Sequence, residues 1–331
     1  MNLRYLDIRT TDPAFNLALE QYYFQTIPKG ESCFLLWQND CAVIIGKHQN
    51  TMAQIDEAFV TANGIRVVRR LTGGGAVYHD MGNLNFSFIT DDHPNTGISF
   101  RSFCRPVIEL LEQLGVHGEI TGRNDMTVGG KKFSGNAQYI HKGRILHHGT
   151  IMFDSDLAVM ERALCVDPNK IRAKGTQSVR SRVANLRPVL PPDIALDKFR
   201  ALLLEYVLQA ASGNTQRIQI RSDDLKVIED ICNSRYRTWE WNYGQSPPCT
   251  MVKRKRFDGC GTVELYLGIE QGVISEAVFR GDFFSTRDPQ EVADLLIGRR
   301  AEENEVRKAL EGVAVSAYFF GLSSEELFSM F

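Results

Sequence analysis

Several signatures of common protein classes are missing from this chain of 331 residues. No apolar run approaches the roughly 18–20 residues that cross a membrane, and the N-terminus lacks the apolar region of a signal peptide. The seven cysteines are scattered and never spaced as CxxC, which argues against a disulfide framework or a zinc cage. A net charge of −2 argues against binding nucleic acid through phosphate contacts. We therefore expect a reduced, cytoplasmic protein that binds neither membranes nor nucleic acid.

The periodicity of apolar residues predicts an α+β fold. Strands in hairpins and separate helices favour a largely antiparallel or mixed sheet over a doubly wound nucleotide-binding fold. We predict helices over 16–27, 55–62, 102–114 and 195–211, and strands over 41–45, 65–68, 126–128, 133–140 and 145–153.

The stretch NYGQSPPC, Asn242 to Cys249, predicts a domain boundary because Pro247 and Pro248 break regular structure. We expect a large domain over residues 1–244 and a small α+β domain over residues 250–331. In the small domain we predict strands over 252–267 and 273–280 and helices over 288–298 and 301–311.

A glycine-rich stretch, RRLTGGGAVYHDMGN, begins at Arg69. Three adjacent glycines let a ligand touch the backbone and expose N–H groups to an anion. Arg69 and Arg70 would add charge-assisted hydrogen bonds to a phosphate or carboxylate. Neither GK[ST] nor GxGxxG is present, so the common phosphate-binding motifs do not apply. A glycine hairpin with solvated arginines is the alternative.

A second stretch, GRNDMTVGGKKFSGNAQY over residues 122–139, places Lys131 and Lys132 just before Ser134 and Gly135. A lysine between small residues can lie along a ligand without crowding it. The alternative is an exposed Gly-Lys hairpin.

Adjacent histidines, His147 and His148, follow in the predicted strand ILHHGTIMFD. Neighbouring side chains of a strand point to opposite faces, so these two cannot easily chelate one metal ion. Histidines that are satisfied in the core or in a pocket are the expected result.

A basic segment, KIRAKGTQSVRSRVANLR over residues 170–187, holds six basic residues and no acidic one. Its glycine and small residues suit a lid over phosphates, whereas a solvated basic loop is the alternative. The four segments together favour a single site for a polyanion.

These motifs, in this order, resemble the lipoate–protein ligase A family of the biotin/lipoate ligase superfamily. The resemblance rests on RRLTGGGAVYHDMGN, on GRNDMTVGGKKFSG followed by HHGT, and on AKGTQSVRSRVANL, and it extends to WEWNYGQSP before the small domain. It implies a large catalytic domain of mixed α/β type with a small accessory domain. It also implies two steps: lipoate and Mg-ATP give lipoyl-AMP, and the lipoyl group then passes to a lysine of a lipoyl domain. The acceptors would be apo E2 subunits of 2-oxoacid dehydrogenases or the glycine cleavage H protein.

The resemblance also suggests roles for individual residues, carried over by position. Those resembling the ATP-binding stretch are Arg70, Gly75, Ala76, Val77 and Tyr78. Lys132 resembles the catalytic lysine shared by ATP and lipoate. Those that would lie near the lipoyl group are Thr72, Gly73, Gly74, His79 and His148. Those of the segment that closes over the adenylate are Lys174, Gly175, Ser178, Val179 and Arg180. Asp125 is the candidate ligand for Mg²⁺.

Three alternatives remain at the level of sequence. Cys165 could act as the thioester nucleophile of an ATP-independent octanoyl or lipoyl transferase, although a buried structural cysteine is the simpler interpretation. A biotin ligase is a second alternative, but the arrangement RRLTGGGAVYHD is lipoate-like. Residues 253–256, KRKR, could mark an RNA-binding module or merely the solvated face of a strand. We expect a monomer, and the residues leave open whether octanoate is used as well as lipoate.

Overall fold

The computed structural model describes residues 2–92, 99–164, 182–244, 251–270 and 273–331. Its regular elements are arranged as one large mixed sheet, two small sheets and surrounding helices. In chain order the strands are β1 (Asn2–Asp7), β2 (Glu31–Trp37), β3 (Ala42–Ile45), β4 (Arg66–Arg69), β5 (Val77–His79), β6 (Asn83–Asp91), β7 (Gly118–Thr121), β8 (Asp125–Val128), β9 (Lys131–His141), β10 (Arg144–Met152), β11 (Thr215–Arg217), β12 (Met251–Phe257), β13 (Gly261–Glu270) and β14 (Val273–Gly281).

Several helices in the described part begin at a side-chain cap. The side chains of Asp12, Asp56 and Asp156 accept hydrogen bonds from the first-turn N–H groups of three helices, which stabilises each N-terminus. The helices are α1 (Pro13–Thr26), α2 (Glu57–Ala62), α3 (Arg101–Gln113), α4 (Leu157–Ala163), α5 (Leu196–Ala210), α6 (Ser222–Ile231), α7 (Trp239–Asn242), α8 (Gln290–Asp294), α9 (Glu303–Ala309), α10 (Val315–Tyr318) and α11 (Ser324–Phe328). A 3₁₀ turn (Arg187–Val189) and a π-helical turn (Cys232–Tyr236) complete them. None of these helices is long and apolar enough to cross a membrane.

The large sheet has the strand order β11-β1-β2-β6-β10-β9-β8-β7 in the described part of the chain. Strand β1 runs parallel to β2 and β11, and the remaining neighbours are antiparallel. The predicted mixed α+β architecture is therefore confirmed. Side chains on one sheet face pack against α3 and α5, and those on the other pack against α1 and α6.

The hairpin between β9 and β10 follows the sequence prediction. Its two central turn residues, Lys142 and Gly143, have φ angles of +50° and +72°. Positive φ at both positions is the mark of a type I′ turn, whose twist matches that of antiparallel strands. This turn sets the register that pairs His148 with Ala137 and Gly149 with Asn136.

A small sheet with the order β4-β3-β5 lies beside the large one and carries the glycine stretch between β4 and β5. Strand β3 is parallel to β4 and antiparallel to β5. All four residues of Ala42–Ile45 are buried, as expected for the central strand of this sheet. Helices α2 and α4 contribute to the cluster that covers it.

The C-terminal part contains a three-stranded antiparallel sheet, β12-β13-β14, with its own apolar cluster. The prediction of one strand over 252–267 is wrong: a turn at 258–260 divides it into β12 and β13. Gly259 has φ of +78°, which glycine adopts without the steric cost of a Cβ. The helix predicted over 288–298 is also shorter, at Gln290–Asp294. The division at residues 244 and 250 stays a prediction.

The basic run KRKR lies on β12, at the edge of this small sheet. Lys253 and Lys255 donate hydrogen bonds to the Phe331 carbonyl oxygen and the Ser329 hydroxyl, and Arg254 pairs with Glu264. The run therefore ties the strand to neighbouring elements, in keeping with the simpler interpretation.

Candidate active site

A cavity of about 110 Å³ lies between the glycine stretch and strands β9 and β10 of the large sheet. It brings together residues that are far apart in the sequence. The predicted site residues that line it are Arg70, Gly74, Gly75, Ala76, Val77, His79, Lys132 and His148. Apolar side chains, including Leu17, Trp37 and Ile44, supply much of the remaining wall.

Alternation along β5 explains which of its side chains reach the cavity. Val77 and His79 line it, whereas Tyr78 points the other way into the cluster under the small sheet. The Tyr78 hydroxyl lies 3.8 Å from Cys41 Sγ. Burial, followed by the hydrogen bond to Cys41, raises the pKa of Tyr78 above its usual range. Any contact of Tyr78 with a ligand in this cavity must therefore come from its backbone.

The three glycines of the stretch serve different purposes. A Cβ at Gly73 would overlap the Phe283 carbonyl oxygen, and Gly74 has φ of +87°, so neither position accommodates an ordinary side chain. A Cβ at Gly75 would meet nothing within 4 Å. The sequence predicted that a ligand approaches the backbone of the glycines closely. At Gly73 it is the backbone of Phe283 that comes close, whereas Gly75 faces open space beside the cavity.

Residues 283–284, from the C-terminal part, contact the glycine stretch. The Gly74 N–H donates to the Phe283 carbonyl oxygen at 3.3 Å. The Phe283 ring stacks on His48, with centroids 4.9 Å apart, and Phe284 packs on Phe100 in the core of the large sheet. The glycine stretch therefore lies between the small sheet and the C-terminal part.

Arg70 shapes the glycine stretch through a buried guanidinium. Its Nε donates to Thr72 Oγ1 at 2.8 Å, and its terminal nitrogens donate to the carbonyl oxygens of Ile44, Gly73 and Gly75. Burial lowers the pKa of Arg70 to about 10, against the opposing charge of Glu20. Most of its donors are thus committed to the protein, and Arg70 fixes the carbonyl directions of the stretch.

The prediction that Arg69 binds an anion is wrong. Its side chain is fully buried and donates to the carbonyl oxygens of Trp241, Gly46, Lys47, Gln49 and Asn242 and to the Thr51 hydroxyl. Burial and two neighbouring arginine charges lower its pKa to about 9. Arg69 joins β4 to α7 and to the turn that follows β3, so its role is structural.

Lys132 and Lys131 differ as alternation along β9 requires. Lys131 is exposed, whereas Lys132 lines the cavity and lies 2.7 Å from an oxygen of Asp125. A Cβ at Gly135 would meet Lys132 Nζ at 3.0 Å, so this glycine makes room for the lysine. The Lys132 side chain is 35% exposed. It therefore provides a cation at the open side of the cavity.

His148 takes part in a chain of buried polar groups. Its Nε2 lies 2.8 Å from Thr72 Oγ1, and its Nδ1 lies 3.0 Å from a carboxylate oxygen of Glu20. Glu20 also accepts a hydrogen bond from Ser87. Thr72 does not line the cavity but connects His148 to Arg70. The chain links the histidine in the wall to the arginine that shapes the glycine stretch.

His147 lies on the opposite face, as predicted. It stacks on Phe103 with ring centroids 4.8 Å apart, and its ring nitrogens lie 3.0 Å and 3.2 Å from side-chain amide atoms of Gln138 and Asn136. Burial and the neighbouring His148 lower the pKa of His147 well below its usual value. The expectation of a satisfied core histidine is confirmed for His147.

Three buried histidines should make the protein sensitive to acid. Burial is the main cause that lowers the pKa of His48, His79 and His147, to about 3 for His79. The unfolded chain binds protons at these groups near pH 6.5, so stability is full above that pH and falls below it. We expect a combined loss of about 4 kcal/mol in unfolding free energy between pH 7.5 and 5.5, measured by urea denaturation. An unfolding midpoint unchanged between these pH values would contradict this expectation.

Several residues of the cavity wall were not predicted from the sequence. Asn124, Asn136 and Thr150 line the cavity near Lys132 but were not assigned a role. Glu20 was missed as well, although a signal was present: it lies on the same helical face as Leu17, a side of α1 that is otherwise largely apolar. A carboxylate among buried positions of a helix indicates a buried polar partner, here His148.

The remaining predictions concern the metal ion, the adenylate loop and Cys165. Among the described residues, no group of three histidine, cysteine, aspartate or glutamate side chains is placed to hold a metal ion. The adenylate-loop residues Lys174, Gly175, Ser178, Val179 and Arg180, and also Cys165, lie outside the described residues.

Two family models match separate parts of the chain. The model described as "Lipoyl protein ligase A/B catalytic domain" matches residues 12–208. The model described as "Bacterial lipoate protein ligase C-terminus" matches residues 246–331.

Curated relatives are similar over nearly the whole chain. The lipoate-protein ligase LplJ of Bacillus subtilis is 42% identical over 320 residues, which cover 96% of each chain. The lipoate–protein ligase 1 of Staphylococcus aureus is 39% identical over 317 residues, again 96% of each chain.

Solved structures share the fold. The P. falciparum protein LipL1, solved in complex with lipoate, superimposes with a TM-score of 0.75 at 23% identity over 94% of each chain. A bi-partite lipoate protein ligase from Thermoplasma acidophilum, solved in an analysis of that ligase and its E2 lipoyl domain, gives 0.65 at 28% identity over 76% of this chain and 98% of its own. A lipoate-protein ligase A bound with ATP gives 0.65 at 27% identity over 74% of this chain and 100% of its own. With two family models and relatives of this similarity, the chain belongs to the lipoate–protein ligase family.

Proposed function

We propose that the cavity binds lipoate and ATP and that the protein joins lipoate to a lysine of an acceptor protein in two steps. In the first step a carboxylate oxygen of lipoate attacks the α-phosphorus of ATP, and pyrophosphate leaves with the electron pair of the broken bond. In the second step the neutral amine of the acceptor lysine attacks the acyl carbon. AMP leaves with the electron pair of the C–O bond, and the amine nitrogen loses a proton as the amide forms.

One observation carries the first step: Lys132 is a partly exposed cation on the wall of an otherwise largely apolar cavity. Two anions brought to 4 Å repel by about 4 kcal/mol at an effective dielectric constant near 20. An ammonium between the carboxylate and the α-phosphate offsets this repulsion and stabilises the charge that develops during transfer. The apolar wall formed by Leu17, Trp37 and Ile44 suits the hydrocarbon part of lipoate.

The glycine stretch is proposed to hold the nucleotide. Gly75 faces open space and Ala76 and Val77 line the cavity, so their backbone N–H groups are the candidate donors to phosphate. Arg70 would act mainly by holding the carbonyl oxygens of this stretch away from the anion, because most of its donors are already bonded to them. Thr72 and His148 would support the wall on the lipoyl side.

Mg²⁺ is proposed to arrive with the phosphates of ATP. Mg²⁺ in nucleotide sites commonly uses one or two protein carboxylates and completes its shell with phosphate oxygens and water. Asp125, which pairs with Lys132, supplies one such carboxylate, so the residues present fit an ion carried by the nucleotide. When bound, the ion would neutralise charge on the leaving pyrophosphate.

The proposed acceptors are apo lipoyl-domain proteins, namely E2 subunits and the H protein. The E2 lipoyl domain studied with the archaeal ligase supports this class of partner at the level of the family. We also propose that the protein acts as a monomer and binds no nucleic acid.

The test of the proposed function has two readouts. The first is isotope exchange between ATP and pyrophosphate, which should depend on added lipoate. The second is the intact mass of an apo lipoyl domain after incubation with the enzyme, lipoate and Mg-ATP, which should rise by one lipoyl group. A lack of lipoate-dependent exchange would refute the adenylation step, whereas exchange without a mass shift would refute the transfer step alone.

Changing Cys165 to serine should leave lipoyl transfer within a few-fold of the parent. An adenylating enzyme needs no thiol nucleophile, and a structural cysteine is inert. The five cysteines that the structure describes are free, and none of them lines the cavity. The measurement is the rate of transfer to an apo lipoyl domain. An inactive but folded variant, together with an acyl-enzyme trapped in the parent, would instead support the thioester mechanism.

A further inference from the structure

The protonation state of His79 follows from hydrogen bonds that begin at the backbone. Asn16 Nδ2 lies 3.0 Å from the Thr10 carbonyl oxygen and 2.8 Å from the Gln38 carbonyl oxygen. Carbonyl oxygens only accept hydrogen bonds, so this side-chain atom must be the amide nitrogen. The same nitrogen lies 3.0 Å from Asn39 Oδ1, so its two hydrogens are shared among three acceptors, and an Asn39 nitrogen at this position would face another donor. The orientation of the Asn39 amide is therefore fixed as well.

Asn39 in turn determines the tautomer of His79. Because Asn39 Oδ1 faces Asn16, its Nδ2 is the atom that lies 3.1 Å from His79 Nδ1. An amide nitrogen donates, so His79 Nδ1 accepts and carries no proton. Burial, with the nearby charges of Arg70 and His148, lowers the pKa of His79 to about 3, so the ring is neutral near pH 7. A neutral imidazole with an unprotonated Nδ1 carries its proton on Nε2.

This Nε2–H group is a buried donor without an acceptor. His79 is 2% exposed, it lines the cavity, and its Nε2 has no hydrogen-bond partner in the part of the chain that the structure describes. Unpaired buried donors are rare because their desolvation is uncompensated, and those that occur in native proteins generally have a functional explanation. The described residues therefore leave this donor, on a residue that lines the cavity, without an acceptor.

Exposure along the cavity wall indicates which end of the ligand His79 would meet. Lys132 is a partly exposed cation, whereas the buried Arg70 guanidinium is bonded to carbonyl oxygens, and His79 and Trp37 are almost fully buried and neutral. A carboxylate is attracted to the lysine, so an acyl chain would enter with its distal end toward the buried part. In lipoate that end is a dithiolane ring, whose sulfur atoms are weak hydrogen-bond acceptors.

We propose that the Nε2–H group of His79 donates a hydrogen bond to the distal end of the acyl substrate and thereby selects chains that carry a sulfur acceptor over hydrocarbon chains of the same shape. This inference rests on the proposed function. A purely hydrocarbon tail would leave the buried donor unpaired, whereas a sulfur acceptor would satisfy it. The proposed preference for a sulfur-containing chain applies to the acyl substrate of this cavity. It bears on whether octanoate can replace lipoate.

The test compares lipoate with 5-cyclopentylpentanoate, which has the same chain and ring size but no sulfur. The readout is kcat/KM for acid-dependent pyrophosphate release. The parent enzyme should prefer lipoate by about tenfold, the scale of one buried donor satisfied by a weak acceptor. His79→Phe keeps a ring but removes the donor, and its preference should fall to about twofold or less. His147→Phe is the matched control, since His147 is equally buried but already partnered and outside the cavity; its preference should stay near that of the parent.

The possible outcomes distinguish a failure of the proposed function from a failure of the role proposed for His79. A parent enzyme that releases no pyrophosphate with lipoate refutes the proposed function itself. An active parent that uses both acids equally, or a His79→Phe variant that keeps the full preference, refutes only the role of His79.

A second measurement needs no variant and therefore does not depend on the folding of His79→Phe. In protein labelled with ¹⁵N-histidine, NMR should show the His79 proton on Nε2, and this signal should shift with lipoate but much less with 5-cyclopentylpentanoate. A proton found on Nδ1 would overturn the assignment of the donor.

Discussion

Replacing Lys132 with methionine should lower lipoate-dependent exchange between ATP and pyrophosphate by about 10²–10³, the usual effect of losing one preorganised electrostatic contact. Methionine retains much of the length of the lysine side chain but not its charge. The repulsion between the lipoate carboxylate and the α-phosphate would then be opposed by one cation fewer. Asp125, which now pairs with Lys132 at 2.7 Å, would add a further uncompensated negative charge.

Lys131→Met is the matched control for this experiment. The same substitution one residue earlier removes an exposed cation from the other face of β9, so most of the exchange activity should remain. Near-normal exchange in the Lys132 variant would refute its catalytic role. Equal losses in both variants would show that the overall charge of the hairpin matters rather than the position of one ammonium.

Replacing Arg69 with methionine should lower the free energy of unfolding by about 3–5 kcal/mol, because several buried acceptors would lose their donor at once. The acceptors include the carbonyl oxygens of Gly46 and Gln49 on one side and of Trp241 and Asn242 on the other. The measurement is equilibrium urea denaturation of the parent and the variant at the same pH.

Arg66→Met provides the comparison for Arg69, since it changes the same residue type on the same strand. Arg66 is exposed: its ion pair with Asp12 has an N–O distance of 3.4 Å, and its hydrogen bonds to the Thr11 and Asp40 carbonyl oxygens are also exposed. Exposed pairs contribute little, so we expect a change within about 1 kcal/mol. If Arg69→Met also lowered the free energy of unfolding by no more than about 1 kcal/mol, water or a shift of the surrounding chain would have to satisfy the acceptors around Arg69.

The regular elements were largely predictable because they depend on local periodicity. The strands predicted over 133–140 and 145–153 occur as β9 and β10, and the helix predicted over 195–211 occurs as α5. The division of 252–267 into two strands was missed although the turn dipeptide Asp258-Gly259, followed by Gly261, marks it. The four consecutive basic residues before it carry no apolar alternation that would show where the first strand ends.

Many of the residues that line the cavity were singled out from the sequence, but their partners were not. Arg69 and Arg70 are neighbours of the same type, and the sequence contains no signal that both are buried and mostly bonded to carbonyl oxygens. Likewise, the sequence placed His79 near the lipoyl group, yet its tautomer depends on Asn16 and Asn39, which come from distant segments. Such properties follow from tertiary contacts, for which one sequence without relatives carries no local signal.

The contact between Gly73 and Phe283 bears on how this enzyme could be recombined with its relatives. The Phe283 carbonyl fills the space that a side chain at position 73 would need, and the Phe284 ring completes the core beside Phe100. A chimera that takes its C-terminal part from another protein therefore also replaces part of the support behind the glycine stretch. Crossover points chosen between residues 244 and 251 keep all three described sheets intact yet separate these contacting partners into different parents. A functional chimera would therefore have to take the residues at positions 73, 74, 283 and 284 from the same parent, although these positions lie far apart in the sequence.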